Sequence, residues 1–524
     1  MSVRVKKCVS PCKGIIENKC KTRFCNYVNK TRKYCTLNRK LYQLKHDDRG
    51  CNIYPKKKDE NTKNTKKTSK NINKSINNKL INKATQAKKT VLTRKVEALR
   101  KKHAEKKIKK FMTNPVMREK ITAMFLNSIC SDSGVCIAFG QEAMKIKKFF
   151  NNFTDFTYLN GPIKKIGVVS NNGFIYELAY KRQNYNAYAI LKSTVGRTAD
   201  NLMYEYFVGM AVNVFGKQLP CFVETYGLFE YNTDADWTVL RLGNANKDDV
   251  LKHNLTLKPT QTFDNLDRGC ISPHLQCILI QHLKQAASLR THVKDPDFIN
   301  TELIKILYII YFSLETLATQ FTHYDLHADN VLIYKPGGLT HIEYVFHEHR
   351  IGKVPRIVKF KSAFIPKIID YGRSFYSLDD DNNSNKIHEK LCTIAACNPL
   401  CGKKSGFNLN AYTSHYIESL HNNTSHDLRL LQDIKDIKNP RSKAKKPIKD
   451  FLRSIHYIGK FGTPEVKNSG LPKVIYNISD ALSALSDMVM ATEPALSNTV
   501  YNGNASYGEL HVYSDGRPME FIKL

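Results

Sequence analysis

The sequence predicts an α+β fold, with strand-like segments ahead of a long core helix, behind a basic, cysteine-containing N-terminal extension. Three observations carry that expectation. Residues 163–192 and 221–229 are rich in Ile, Val, Tyr and Phe, the composition of strands. Leu303, Leu307, Ile310, Leu314, Leu317 and Phe321 are spaced four, three, four, three, four, which is one buried face of a long helix over 301–321. The net charge of +35 is concentrated at one end: residues 1–120 hold 37 Lys and Arg against 8 Asp and Glu.

Taken in order, residues 1–54 form a basic segment with Cys8, Cys12, Cys20, Cys25, Cys35 and Cys51. No C-x-x-C pair occurs among them, so zinc on these cysteines and buried or unpaired thiols both stay open as readings. Residues 55–114 begin with a Lys/Asn-rich linker, whose few apolar residues cannot offset the entropy of ordering it. "RKVEALRKKHAEKKIKKFM" then favours a basic, largely solvated helix. A basic arm of this kind suits nucleic acid or an acidic partner, or is simply solvated. Residues 115–283 carry the strands, with leading helices and a hinge at the end, and residues 284–524 the mainly helical part. Neither a secretory signal nor an apolar run long enough to span a bilayer is evident, which predicts a reducing compartment. The fourteen cysteines are then expected as free thiols or metal ligands rather than disulfides, Cys392, Cys397 and Cys401 included.

The densest chemistry lies in "THYDLHADNVLIY", residues 322–334, between the predicted helix and a short strand. Asp325 stands five positions before Asn330, the spacing of the protein-kinase catalytic loop, H-R-D-L-x-x-x-N. There the Asp accepts a proton from the substrate hydroxyl and the Asn binds magnesium, so the two occupy opposite ends of one short loop. Other parts follow in the matching order. "IPKIIDYGRSF" supplies Asp370 and Gly372 in a D-Y-G, with Asp370 as the second metal ligand. "NAYAILKST" carries Lys192 for the ATP phosphates, and "DNLMYEYFVGM" offers Glu205 as its ion-pair partner. Gly167, Ser170 and Gly173 in "IGVVSNNGFIYEL" would form the phosphate-covering turn. "CILIQHL", with Gln281 and Leu283, fits the strand and hinge that receive adenine.

Residues 160–375 thus resemble the protein-kinase superfamily and its bilobal fold. "HYDLHADNVLIY", "IIDYGRSF" and "ADNLMYEYFVG", with "CKTRFCNYVNKTRKYC", "CNPLCGKKSGF" and "SHDLRLL", resemble serine/threonine kinases of large nucleocytoplasmic DNA viruses. The resemblance implies an ATP- and Mg2+-dependent protein kinase, viral, working in the host cytoplasm or carried in the virion. By the same resemblance Asp427 would brace the catalytic loop from behind, with His323, His327 and Gly372 as further supporting residues of the site. The departures are specific. The second glycine of the nucleotide turn is missing, His327 stands two after Asp325 where such kinases have Lys, and no A-P-E follows at the usual distance. "FGTPE" at 461–465 lies too far along to serve. An extra hairpin is expected at 341–360, where His341, His347 and His349 read either as metal ligands or as a polar strand face. A small-molecule phosphotransferase, and a pseudokinase or scaffold whose basic N-terminus binds nucleic acid or acidic partners, are the alternative functions.

Overall fold

The computed structural model describes residues 25–28, 34–37, 42–47 and 50–55, and most of 148–522. It breaks at 258–274, 336–340, 350–354, 393–400, 410–416, 458–464, 467–472 and a few shorter places. Two compact units emerge, 1–110 and 111–524. In the first, β1 (Cys25–Val28) pairs antiparallel with β2 (Tyr34–Leu37), and β3 (Tyr42–Asp47) with β4 (Gly50–Pro55). The linker and basic helix expected between 55 and 114, and Cys8, Cys12 and Cys20, lie outside the described residues. Of Cys25, Cys35 and Cys51 only the backbone is described.

The second unit opens on an antiparallel sheet of six strands: β5 (Lys164–Ser170), β6 (Gly173–Arg182), β7 (Tyr185–Ser193), β8 (Thr225–Tyr231), β9 (Leu255–Leu257) and β10 (Gln276–Gln281). Their spatial order is β5-β6-β7-β10-β8-β9. Period-two alternation divides its faces. Phe174, Tyr176, Leu178, Ala189, Leu191, Phe229, Cys277 and Leu279 build one aromatic-rich core with Trp237 and Leu240. Those last two come from α2 (Asp234–Leu242), which follows α1 (Asp200–Phe215) and precedes α3 (Lys247–His253). Leu228 and Ile278 point the other way, into the core that α1 shares.

Helix α1 is held hard against the start of β8. A Cβ at Gly209 would lie 2.0 Å from the Thr225 hydroxyl oxygen, so only glycine allows the approach. Beside it the Asn213 amide accepts from the Thr225 N–H (2.9 Å) and donates to the Thr225 carbonyl (2.7 Å), satisfying backbone groups as a neighbouring strand would.

The remaining chain is mainly helical. After β11 (Ala287–Ser288) come α4 (Leu289–His292), α5 (Pro296–Thr301) and the core helix α6 (Leu303–Thr316). The helix expected over 301–321 is therefore two pieces and ends earlier. Asp295 caps α5 with Pro296 in its first turn, and at the far end Leu317 bonds back to both Ser313 and Leu314. Leu317 and Phe321 are buried as the spacing required, the first in a turn and the second in β12 (Phe321–Thr322). Further on, α7 (Ser384–Cys392), α8 (Arg429–Asp436), α9 (Lys438–Lys443), α10 (Lys446–Arg453) and α11 (Ile478–Val500) complete the helices, α11 packing against α6.

Four short strands tie the loops of this region: β12, β13 (Val331–Tyr334), β16 (Ile365–Ile368) and β17 (Phe375–Tyr376). The expected hairpin is β14 (His341–Glu348) with β15 (Arg356–Ser362). What sequence reasoning missed is its continuation: β18 (Ser506–Tyr513) joins β14 in parallel, and β19 (Glu520–Ile522) pairs with β18. That continuation corrects the reading of a polar face at His341 and His347, while His349 is exposed. His341 is buried, and the His347 ring stacks on Tyr513 and bonds to His511 across β18 (3.1 Å). Among the described residues no cluster of His, Cys, Asp and Glu is arranged to hold a metal ion.

One cysteine expectation is overturned. Cys392 at the end of α7 and Cys401 in the next turn have Cα atoms 5.8 Å apart and are joined as a disulfide. Compartment reasoning speaks to redox environment, whereas backbone geometry decides which sulfurs can meet. Cys397 lies outside the described residues. Cys221 and Cys277 are free and buried, and burial pushes both thiols up to about 12. No helix among the described residues is long and apolar enough to cross a membrane.

Candidate active site

Two loops are brought side by side by strands at both ends. β12 pairs with β17 through Phe321↔Tyr376 and Thr322↔Phe375. β13 pairs with β16, Val331 facing Ile368. The segments between them, 323–330 and 369–374, are therefore anchored at each end and held in register. Cross-links fix them further: the Ile369 N–H donates to the Asn330 carbonyl (3.0 Å), and His323 Nε2 donates to the Ile369 carbonyl (2.9 Å). The Asp325 N–H in turn donates to His323 Nδ1 (3.3 Å), which selects the neutral Nε2–H tautomer. Burial pushes the His323 ring down to about 4, against the pull of the Asp325 carboxylate.

Asp427, in the short turn before α8, lies behind the first loop. Its carboxylate accepts the N–H groups of His323 (2.8 Å) and Tyr324 (3.0 Å), and its carbonyl accepts the Tyr311 hydroxyl from α6 (2.8 Å). These bonds hold Tyr324 at φ +61°, a left-handed conformation costly for a bulky residue and one that must be imposed by its surroundings. Burial pushes the Asp427 carboxyl up to about 7, the two N–H bonds opposing it.

Lys192 comes from the middle of the sheet, flanked by Ile175 on β6 and Ile278 on β10. Its ammonium lies 2.6 Å from Glu205 Oε2 on α1 and 3.1 Å from Asp370 Oδ1 on the second loop. Burial works against the charged ammonium, but Asp370 and Glu205 outweigh it and hold the group above its ordinary value. The same Lys192 charge keeps Asp370 below the usual carboxylate range, while burial pushes Glu205 up. Asp370 has φ +67°, and Gly372, two residues on, sits against the Glu205 side chain. Tyr371 in the D-Y-G is buried, its hydroxyl accepting the Val223 N–H (2.8 Å) and donating to the Ile368 carbonyl (2.8 Å).

Asp325 has neighbours that sequence reasoning missed. Arg373 Nη1 donates to its Oδ2 (2.7 Å) and Arg429 Nη1 to its Oδ1 (2.6 Å). Both arginines stand inside motifs already noted, one directly after D-Y-G and one two after Asp427. Contacts across 48 and 104 positions are not written in local spacing. His327 Nε2 is 3.9 Å from Asp325 Oδ1, and its Nδ1 accepts the Asp329 N–H (3.3 Å). Asp329 itself pairs with Arg290 (2.6 Å), which also grips Asp433. Asn330 donates its amide to the Asp325 carbonyl (2.9 Å), so its amide oxygen is the atom left to face a cation.

The expected nucleotide turn is a β5–β6 connection with an irregular register between Ile166 and Ser170. Gly167 and Ser170 lie in β5, their surroundings outside the described side chains. Gly173 has φ +132°, and a Cβ there would overlap the Ser193 carbonyl oxygen at 1.7 Å, so this glycine lets β6 close onto the end of β7. At the hinge, the Gln281 N–H donates to the Glu224 carbonyl (2.8 Å), and Leu283 is half-buried. Glu177 on β6 reaches over to His282 (2.8 Å) and Lys284. A small, open cleft lies here between Tyr188, Tyr226, Gln281 and Lys284. Gln281 and Leu283 are among its lining residues, whereas Lys192, Asp325, Asn330 and Asp370 are not.

No family model matches this chain, and no curated protein matches it. A solved structure described as the crystal structure of a kinase domain is 13% identical, with a TM-score of 0.23, over 43% of this chain and 55% of that one. The match thus spans about half the length of that chain. A likeness of that size leaves the fold to be argued from strand order and the function from the site.

Proposed function

We propose that this chain is a phosphotransferase that moves the γ-phosphoryl group of ATP, bound with Mg2+, to hydroxyl groups of proteins, in the manner of a serine/threonine kinase. The observation that carries the reading is the junction of Lys192, Glu205 and Asp370 beside a loop that presents Asp325 and Asn330 from a rigid mount. Residues 13 and 178 positions from Lys192 meet its ammonium, in the order in which a phosphoryl-transfer site uses them. Lys192 would hold the nucleotide phosphates and Glu205 would hold Lys192. Asp370 and the amide oxygen of Asn330 fit a hard, oxygen-seeking cation that arrives with the nucleotide. Asp325 would take the proton of the acceptor hydroxyl. Gln281 and Leu283 would border adenine, and Gly167, Ser170 and Gly173 would cover the phosphates. Viral origin, and a place in the host cytoplasm or virion, belong to this reading and rest on the sequence resemblance alone. A nucleic-acid or acidic partner for residues 1–110 also belongs to it, and rests on their charge.

The test is Mg2+-dependent transfer of labelled γ-phosphate to the chain itself and to basic and acidic protein acceptors, with Asp325→Asn alongside. Transfer that disappears in the variant supports the reading. ATP binding without transfer to any protein would favour a small-molecule acceptor, the alternative to which the imidazole of His327, 3.9 Å from Asp325, gives support. Absence of ATP binding would leave the pseudokinase or scaffold reading.

A further inference from the structure

We infer that Arg373 is the cation that receives the terminal phosphoryl group at this site, exchanging its bond to Asp325 for bonds to that group as nucleotide enters. The inference rests on the phosphotransferase reading above. Phosphoryl transfer spreads negative charge over three equatorial oxygens, and preorganised donors aimed at that charge supply much of the rate. Lys192 is already shared between two carboxylates. The position two after Asp325 holds His327 rather than a lysine, whereas a guanidinium is permanently charged.

Two guanidiniums reach Asp325, and their mountings differ. Arg429 stands at the start of α8, its side chain 11% exposed, with one nitrogen on Asp325 Oδ1 and near the Tyr324 carbonyl (3.4 Å). It grips both the backbone and the carboxylate of the loop, as a fixed brace does. Arg373 is 21% exposed, lies in the irregular segment between β16 and β17, and takes the other oxygen, Oδ2. It follows Asp370 by three residues, so a single short stretch links the carboxylate at Lys192 to the carboxylate at the catalytic loop.

The exchange accomplishes two things at once. Arg373 would donate to the non-bridging oxygens of the transferring group, and Asp325 Oδ2 would become available to the acceptor. In the step itself the acceptor oxygen forms a bond to the γ-phosphorus, and its proton passes to Asp325. The bond from that phosphorus to the bridging oxygen breaks, its electron pair staying on the terminal oxygen of ADP. Arg429 keeps Oδ1 throughout, so the carboxylate does not rotate away.

Nucleotide binding to the full chain tests this without needing the right acceptor. Affinities for ATP and for ADP are measured with Mg2+ present, for the parent, Arg373→Gln and Arg373→Lys. The parent should prefer ATP, and Arg373→Gln should lower that preference about tenfold, the loss of one charge-assisted hydrogen bond. Arg373→Lys should fall between them. Turnover, where an acceptor is transferred to, should drop about 10²- to 10³-fold in Arg373→Gln. An unchanged ATP preference, or unchanged turnover, in a variant that melts like the parent overturns the assignment to Arg373 and leaves the kinase reading standing. A parent that binds neither nucleotide overturns both. Should Arg373→Gln fail to fold, Arg373→Met takes its place, and a parent-like ATP preference in that uncharged variant overturns the assignment.

Discussion

Lys192 and Asp325 each stand at the centre of an ion cluster, and the permanently charged partners on the two are opposite in sign. Around Lys192 one ammonium serves two carboxylates, Glu205 and Asp370. Around Asp325 one carboxylate serves two guanidiniums, Arg373 and Arg429. A cluster made only for stability would balance its charges, because an unmatched charge away from water is costly. The first group thus pairs one cation with two carboxylates and the second one carboxylate with two guanidiniums, and the stretch from Asp370 to Arg373 joins them. On the function proposed above the difference has a use: a cation would join Asp370 and an anionic group would join Arg373, and a phosphorylated nucleotide with its metal ion would supply both.

The comparison can be broken most severely at Asp325. Asp325→Asn leaves two guanidiniums without their carboxylate, and turnover in the labelled-phosphate assay should fall by about two to four orders of magnitude if Asp325 is the base. At the other cluster, Lys192→Met leaves Glu205 and Asp370 facing each other without a cation. Denaturant titration should show a loss of about 3–5 kcal/mol, and adding Glu205→Leu should recover much of it, because the unmatched buried charge is then removed.

Between the clusters stands His323, which sharpens the comparison through pH. Its folded value of about 4 lies below the ordinary 6.5, so its contribution to stability is complete above pH 6.5 and is lost as the pH falls toward 4. Asp427, pushed up to about 7, runs the other way over the same window, its unfolded form ionising first as the pH rises. The two are separated by substitution. A His323→Asn chain should lack the His323 share, about 3 kcal/mol at pH 4 relative to pH 7, when unfolding midpoints of variant and parent are compared. Smallest is Gly173→Ala, which strains the backbone next to Ser193 and so disturbs the strand carrying Lys192. A loss of about 1–3 kcal/mol in thermal unfolding is expected.

Much of this site was legible in the sequence because its parts are local. The spacing from Asp325 to Asn330, the apolar strand before Asp370 and the heptad-like face of α6 each lie within one element. Five of the six sheet strands lie in the Ile-, Val- and Tyr-rich runs read as strands, while the short edge strand β9 was not anticipated. The arginines on Asp325 were not legible, since their partners are brought near only by the pairing of β12 with β17 and by the turn at Asp427. The early end of α6 was missed because Leu317 and Phe321 are buried in register with the helix without belonging to it. The disulfide was missed because compartment was used where only geometry decides.

The parallel pairing of β18 with β14 has a consequence in time. His347 and His511 touch across it although 164 positions separate them. During synthesis, at about 5–20 residues per second, the β14 edge would wait on the order of ten seconds for its partner strand to be made. Until then the hairpin presents an open row of backbone donors and acceptors to whatever chain is nearby. Cells making this protein quickly should therefore meet their aggregation hazard at that edge, and holding chaperones should be most useful while β14 is complete and β18 is not.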